Sequence, residues 1–173
     1  MREVVVVFGL SGSGKSFLSR ILHEEFHYEW LRSDLIRKEL AGINPHTRVK
    51  ESFGAGIYSE DMTRKVYREM VFRAKELVNE GKRVVLDATF LKRWQRQMVK
   101  DAFERPLFIL AKASEESIKQ RLKGRKDVSD ADFRIYLKQK EIIEPPYEVD
   151  YVEVNTEKGR EELKLILNNL IKD

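Results

Sequence analysis

Gly9-Leu10-Ser11-Gly12-Ser13-Gly14-Lys15-Ser16 has the G-x-x-x-x-G-K-S spacing of a phosphate-binding loop. Glycines at such positions let successive backbone N–H groups curl around phosphate oxygens, and a helix that starts there adds the positive end of its dipole. In that chemistry Lys15 reaches the β- and γ-phosphates, and the Ser16 hydroxyl is a ligand for Mg²⁺. Gly9, Ser11, Gly12, Ser13, Gly14 and Phe17 complete the cradle around a nucleoside triphosphate, either ATP or GTP.

Two carboxylates stand where such a loop needs them. Asp87 ends the apolar run Val84-Val85-Leu86, a pattern that holds Mg²⁺ directly or through water. Asp34 lies 19 residues beyond Lys15, one helix and one strand later, and so across the crevice. A phosphoryl acceptor needs a carboxylate that orients its hydroxyl and takes its proton, and Asp34 suits that part. Capping of the following helix is the competing role for Asp34. Arg37, three positions on, shares a helical face with Asp34 and suits a bidentate phosphate clamp. Arg121 and Arg125 are one turn apart before a charged, irregular stretch. They read as arginines of a short lid, around residues 121–131, that closes over the triphosphate and excludes water.

Alternating strand and helix patterns position these groups. Val4–Phe8 is a buried strand ahead of the loop, and Phe17, Leu18, Ile21 and Leu22 give the next helix an apolar face. Tyr28–Leu31 is a short strand, Leu35–Leu40 a helix, and Thr47–Ile57, with two glycines, a mobile loop. Ser59–Glu80 is a long amphipathic helix stopped by Gly81, and Arg83–Asp87 a strand. Leu91–Phe103 reads as a helix, mostly solvated, with Trp94 and Met98 inward; its Lys92, Arg93 and Arg96, with Thr89, are candidates for the acceptor side. Leu107–Leu110 is a strand, Ser114 caps a helix running to about Gly124, and Ser129 with Asp132 forms a capping box for the helix that ends before Pro145. Val149–Val154 and a helix carrying Leu163, Ile166, Leu167, Leu170 and Ile171 complete the pattern. Five strands, each followed by helix, give one α/β, doubly wound domain over residues 1–173, with ligands expected beyond the carboxyl ends of the strands.

The chain resembles small P-loop kinases of the polynucleotide 5′-kinase and zeta-toxin type. It is especially similar to the ATP-binding module fused to aminoglycoside-phosphotransferase-like domains. The resemblance rests on Gly9–Ser16, Ser33-Asp34-Leu35-Ile36-Arg37, Val85–Phe90, Arg121-x-x-x-Arg125, Ser129-Asp130-Ala131 and Glu144-Pro145-Pro146. It implies the P-loop NTPase fold of adenylate-kinase type, a three-layer sandwich with parallel strand order 2-3-1-4-5. It also implies that Asp34 is the general base for a 5′-hydroxyl, that Arg37 meets the acceptor phosphate, and that Arg121 and Arg125 are lid arginines. The chain departs from polynucleotide kinases at Ala88-Thr89-Phe90, where that group has Asp-Thr-Asn.

The expected activity is ATP-dependent transfer of the γ-phosphoryl group to a hydroxyl. The acceptor is a 5′-hydroxyl RNA or DNA end, or else a small sugar, polyol or nucleoside. A regulatory ATPase is the rival class. An Asn-Lys-x-Asp base-reading motif for a GTPase switch is absent from the sequence, and a ring-forming motor needs a helical second domain for which 173 residues leave no room. A vestigial binding module is disfavoured by the intact Lys15, Ser16, Asp34 and Asp87. The net charge of +4 suits an anionic partner, which the nucleotide alone satisfies. There is no cysteine, hence no disulfide, and no apolar run of membrane-spanning length; a cytoplasmic protein is expected. The three histidines, His23, His27 and His46, form no convincing metal set.

Overall fold

A computed structural model describes residues 1–47, 56–123 and 130–172. The order is β1 (Val4–Phe8), α1 (Lys15–Phe26), β2 (Glu29–Arg32), α2 (Ser33–Leu40), α3 (Glu60–Asn79), β3 (Val84–Asp87), α4 (Arg93–Ala102), β4 (Leu107–Lys112), α5 (Glu115–Lys123), α6 (Asp130–Ile142), β5 (Tyr151–Asn155) and α7 (Arg160–Ile171). The strands form one parallel sheet in the order β2-β3-β1-β4-β5. That is the expected α/β fold and strand order.

Every residue of β1 and β3 is buried, because helices cover both faces of the sheet. Side chains alternate across the sheet, so one core takes Val4, Val6, Phe8, Val84 and Leu86 with Met70 and Ala74 of α3 and Val99 of α4. The other takes Val5, Val7, Val85 and Ile109 with Leu18, Ile21 and Leu22 of α1 and Leu163, Leu167 and Ile171 of α7. Register then aligns the functional edge. Val7 pairs with Asp87, and Asp87 with Arg32, so β1, β2 and β3 deliver the phosphate loop, Asp87 and Asp34 to one border of the sheet.

Several boundaries differ from the sequence expectation. Asp34 stands in the first turn of α2, which begins at Ser33 with Arg32 as its cap residue, so Asp34 is not the cap. Its carboxylate still favours the positive helix end. Strand β5 starts at Tyr151, not Val149. Helix α4 starts at Arg93, not Leu91, because Lys92 is extended as its cap residue; Phe90 ahead of it takes a left-handed φ of 46°. Most of the expected loop at Thr47–Ile57, Arg125 and the Ser129 cap lie outside the described residues, as does most of the lid span. Among the described residues no helix is long and apolar enough to cross a membrane.

Candidate active site

The phosphate loop is held from outside, group by group. Lys15 Nζ donates to Leu10 O at 3.0 Å, as Ser13 N does at 3.1 Å. Ser11 N donates to Gln139 Oε1 of α6 at 2.8 Å. Arg121 Nη1 donates to Gly12 O at 3.1 Å and to Thr156 Oγ1 at 3.0 Å, while its Nη2 reaches Thr156 O at 3.0 Å. The buried Thr156 hydroxyl donates to Ser13 O at 2.5 Å. Leu10 O, Ser11 N, Gly12 O and Ser13 O are therefore each tied to a protein partner. Gly14 precedes α1 with φ 97° and supplies no side-chain cap to the first-turn amides. Uncapped amides at a helix start are an anion site.

Glycine at position 14 is a steric necessity. A Cβ there would sit 2.4 Å from Thr156 Oγ1 and 2.5 Å from Thr156 Cβ, in a backbone conformation that L residues avoid. The turn after β5 thus packs against the loop as closely as a glycine permits.

Asp87 is 5% exposed, with Oδ2 accepting from Trp30 Nε1 at 3.0 Å and from Ser16 Oγ at 3.5 Å. Burial raises its pKa, against the lowering pull of Lys15, Trp30 and Arg32. A buried carboxylate beside a hydroxyl is an all-oxygen donor pair, which fits Mg²⁺ completed by water and phosphate oxygens. Among the described residues no group of three or more His, Asp or Glu side chains is arranged for a metal, so the site does not resemble an all-protein cage. Trp30, from β2, is a part of this centre that sequence reasoning missed. It reads locally as a strand residue, and its partner lies 57 positions away.

Asp34 is exposed at the start of α2. Arg37, in contrast, is 8% exposed and turned into the protein. Its Nη1 donates to Ile57 O at 2.9 Å and Thr63 Oγ1 at 3.0 Å, its guanidinium lies 5.2 Å from the Tyr58 ring centre, and its Nε is buried without a partner among the described residues. Tyr67 is buried beside this corner. Burial raises its pKa, which hydrogen bonds from Thr89 and Phe90 oppose, and the charges of Arg37 and Asp34 both reach it.

The turn after β3 is clamped. Phe90 N donates to Tyr67 Oη at 3.0 Å, and Phe90 O accepts from Arg96 Nη1 at 2.7 Å. Arg96 is fully buried, not on a solvated face as its helix suggested. Its Nε bonds Glu148 Oε1 at 2.5 Å, and its Nη2 reaches Glu144 O at 3.0 Å and Pro145 O at 3.3 Å. A non-glycine residue at positive φ costs energy that surrounding contacts must offset, and these do so through the N–H and the C=O on either side of the Phe90 Cα.

A family model described as an AAA domain matches residues 4–146. The chain belongs to the AAA domain family. That match runs from β1 to the Pro145-Pro146 segment and includes every site residue named above except Glu148 and Thr156. No curated protein matches this chain by sequence. Its fold is similar to solved small kinases over nearly the whole chain. A sugar kinase from Janibacter shows 18% identity and a TM-score of 0.71, with 98% of this chain and 94% of that one covered. A gluconokinase from Sinorhizobium meliloti shows 23% and 0.68, covering 99% and 95%. An APS kinase from Mycobacterium tuberculosis, in complex with AMPPNP and APS, shows 18% and 0.69, covering 99% of each chain. At these identities the likeness establishes the fold of small P-loop kinases.

Proposed function

We propose that this AAA domain protein is an ATP-dependent kinase that transfers the γ-phosphoryl group to a hydroxyl of a small molecule. One observation carries the reading: sheet register brings the phosphate loop, buried Asp87 and exposed Asp34 to one edge, with a donor side and an acceptor side. Lys15 and the first-turn amides of α1 hold the phosphates, and Ser16 and Asp87 would hold Mg²⁺, which would supply neutralisation of phosphate charge. Asp34 accepts the proton of the acceptor hydroxyl as its oxygen bonds to the γ-phosphorus, and the bond to the β–γ bridging oxygen breaks to release ADP. Arg121, already against Gly12, is a cation at the nucleotide side.

A small acceptor is favoured because structural neighbours over nearly the whole chain include proteins named as a sugar kinase, a gluconokinase, a shikimate kinase and an APS kinase. The buried Nε of Arg37, without a partner among the described residues, favours an acceptor with an anionic group. A 5′-hydroxyl polynucleotide end is the second reading, favoured by the Asp34-x-x-Arg37 element. Incubation with γ-labelled ATP and a panel of sugars, sugar acids, hydroxy acids and 5′-hydroxyl oligonucleotides tests both. Label on a small compound, absent with Asp34→Asn, supports the first. Label on oligonucleotides alone replaces it with the second.

A further inference from the structure

Helix α6 and the segment after it touch both halves of the proposed site. At one end, the buried Gln139 accepts the Ser11 amide of the phosphate loop at 2.8 Å. At the other, residues 142–148 are bonded to the acceptor-side turn. Lys92 Nζ donates to Ile142 O at 3.1 Å, Glu144 N to Leu91 O at 2.8 Å, and Arg93 N to Glu144 Oε1 at 2.9 Å. Arg96 bonds Glu144 O, Pro145 O and Glu148, and its remaining guanidinium nitrogen holds Phe90 O. The chain of contacts from Ser11 to Phe90 is thus continuous through one helix and a short, proline-stiffened segment.

We propose that Gln139 is a positioning residue that couples nucleotide occupancy of the phosphate loop to the Thr89–Phe90 turn. Phosphates drawing the loop amides inward move Ser11, and Gln139 carries that displacement along α6 to Glu144 and Arg96. By linkage, whatever nucleotide does to acceptor affinity, acceptor does equally to nucleotide affinity. The inference rests on the nucleotide site of the proposed function and deepens it. Gln139 touches no reacting atom; its role is exerted through Ser11.

The two tryptophans of the chain supply separate readouts. Trp30 donates its indole N–H to Asp87 on the nucleotide side. Trp94 lies on the acceptor side, its ring 5.7 Å from that of Tyr67 and its chain neighbour Arg93 bonded to Glu144. Indole ¹⁵N–¹H resonances followed during titration with Mg·AMPPNP therefore report both half-sites without an acceptor. In the wild type both resonances are expected to shift. In Gln139→Leu, Trp30 still shifts and AMPPNP binds about tenfold more weakly, the scale of one lost hydrogen bond, while the Trp94 response is lost at saturation. Gln139→Glu retains an acceptor oxygen and restores the Trp94 response. Glu144→Ala removes the bond to Arg93 N while the backbone bonds of residue 144 to Leu91 and Arg96 remain, and is expected to diminish the Trp94 response while Trp30 still shifts. A Trp94 response undiminished in Gln139→Leu overturns the coupling alone. A wild type in which neither resonance responds removes the nucleotide site, and the coupling with it.

Discussion

Replacing Gly14 by alanine tests how tightly the phosphate loop is built. The new Cβ meets Thr156 Oγ1 at 2.4 Å and Thr156 Cβ at 2.5 Å, so Thr156 must move. Movement loses the hydroxyl bond to Ser13 O and the bond from Arg121 Nη1, together roughly 1–3 kcal/mol at the usual net worth of a hydrogen bond. The left-handed φ of 97° adds a penalty of about 1–2 kcal/mol for a residue with a Cβ. Reduced freedom of the unfolded chain returns about 0.4–1 kcal/mol. The net loss is roughly 1–5 kcal/mol, or about 2–20 °C in Tm for a chain of this size. Mg·AMPPNP binding, followed by calorimetry, should weaken at least tenfold, since Lys15 and the first-turn amides of α1 follow directly on Gly14. A variant that melts and binds like the wild type would show that Thr156 does not brace the loop, and the steric reasoning fails.

Asp34→Asn should retain Mg·AMPPNP affinity while phosphoryl transfer falls about 10²–10⁴-fold, the weight of a positioned base; undiminished transfer excludes Asp34 from the chemistry. Asp87→Asn removes a buried carboxylate whose pKa is raised chiefly by burial. The folded state therefore binds this proton more tightly than the unfolded state, and the ionised group costs stability above its folded pKa. The metal-free variant should melt higher than wild type at neutral pH, with the advantage shrinking as pH falls, while its Mg²⁺-dependent nucleotide affinity drops; an Asn variant that melts lower at neutral pH contradicts this. Glu148 is the opposite case. Burial would raise its pKa, but Arg96 and its own backbone amide, with Arg93, hold it below the ordinary carboxylate value. Its contribution is complete above the unfolded pKa of about 4.3 and is lost as pH falls through the folded value. Glu148→Gln should therefore cost roughly 1.5–3 kcal/mol at pH 7, the range for a hydrogen bond to a charged group, and the gap from wild type should close in acid. A gap that is constant with pH removes the ion pair as its source.

Legibility in the sequence followed the range of the interactions involved. The phosphate loop and the acid ending β3 were readable because glycine spacing, an apolar run and a helix start are all local signals. The five strands were readable for the same reason, and their register brings Asp87 level with Val7 and Arg32 without further information. Trp30 and Gln139 were not readable as site-building residues, and Arg96 was readable only as a candidate for the acceptor side, not as a buried clamp. Their partners lie 57, 128 and 52 positions away, and nothing in the neighbouring residues marks them. Arg96 was the most misleading, since a basic residue on a basic helix suggests solvent, whereas it is fully buried on carbonyls and Glu148. The turn ahead of α4 has the same origin. Phe90 has no intrinsic preference for a left-handed turn, and Tyr67 and Arg96 impose it through tertiary bonds.

The most direct measurement of the central claim is ADP formation from Mg·ATP by the purified protein, with and without a panel of small hydroxyl compounds, alongside Lys15→Ala. The account predicts slow ADP release alone, strong stimulation by at least one compound with stoichiometric phosphorylated product, and loss of both in Lys15→Ala. Rapid ADP and phosphate release that no acceptor changes would identify a hydrolase and contradict the kinase reading.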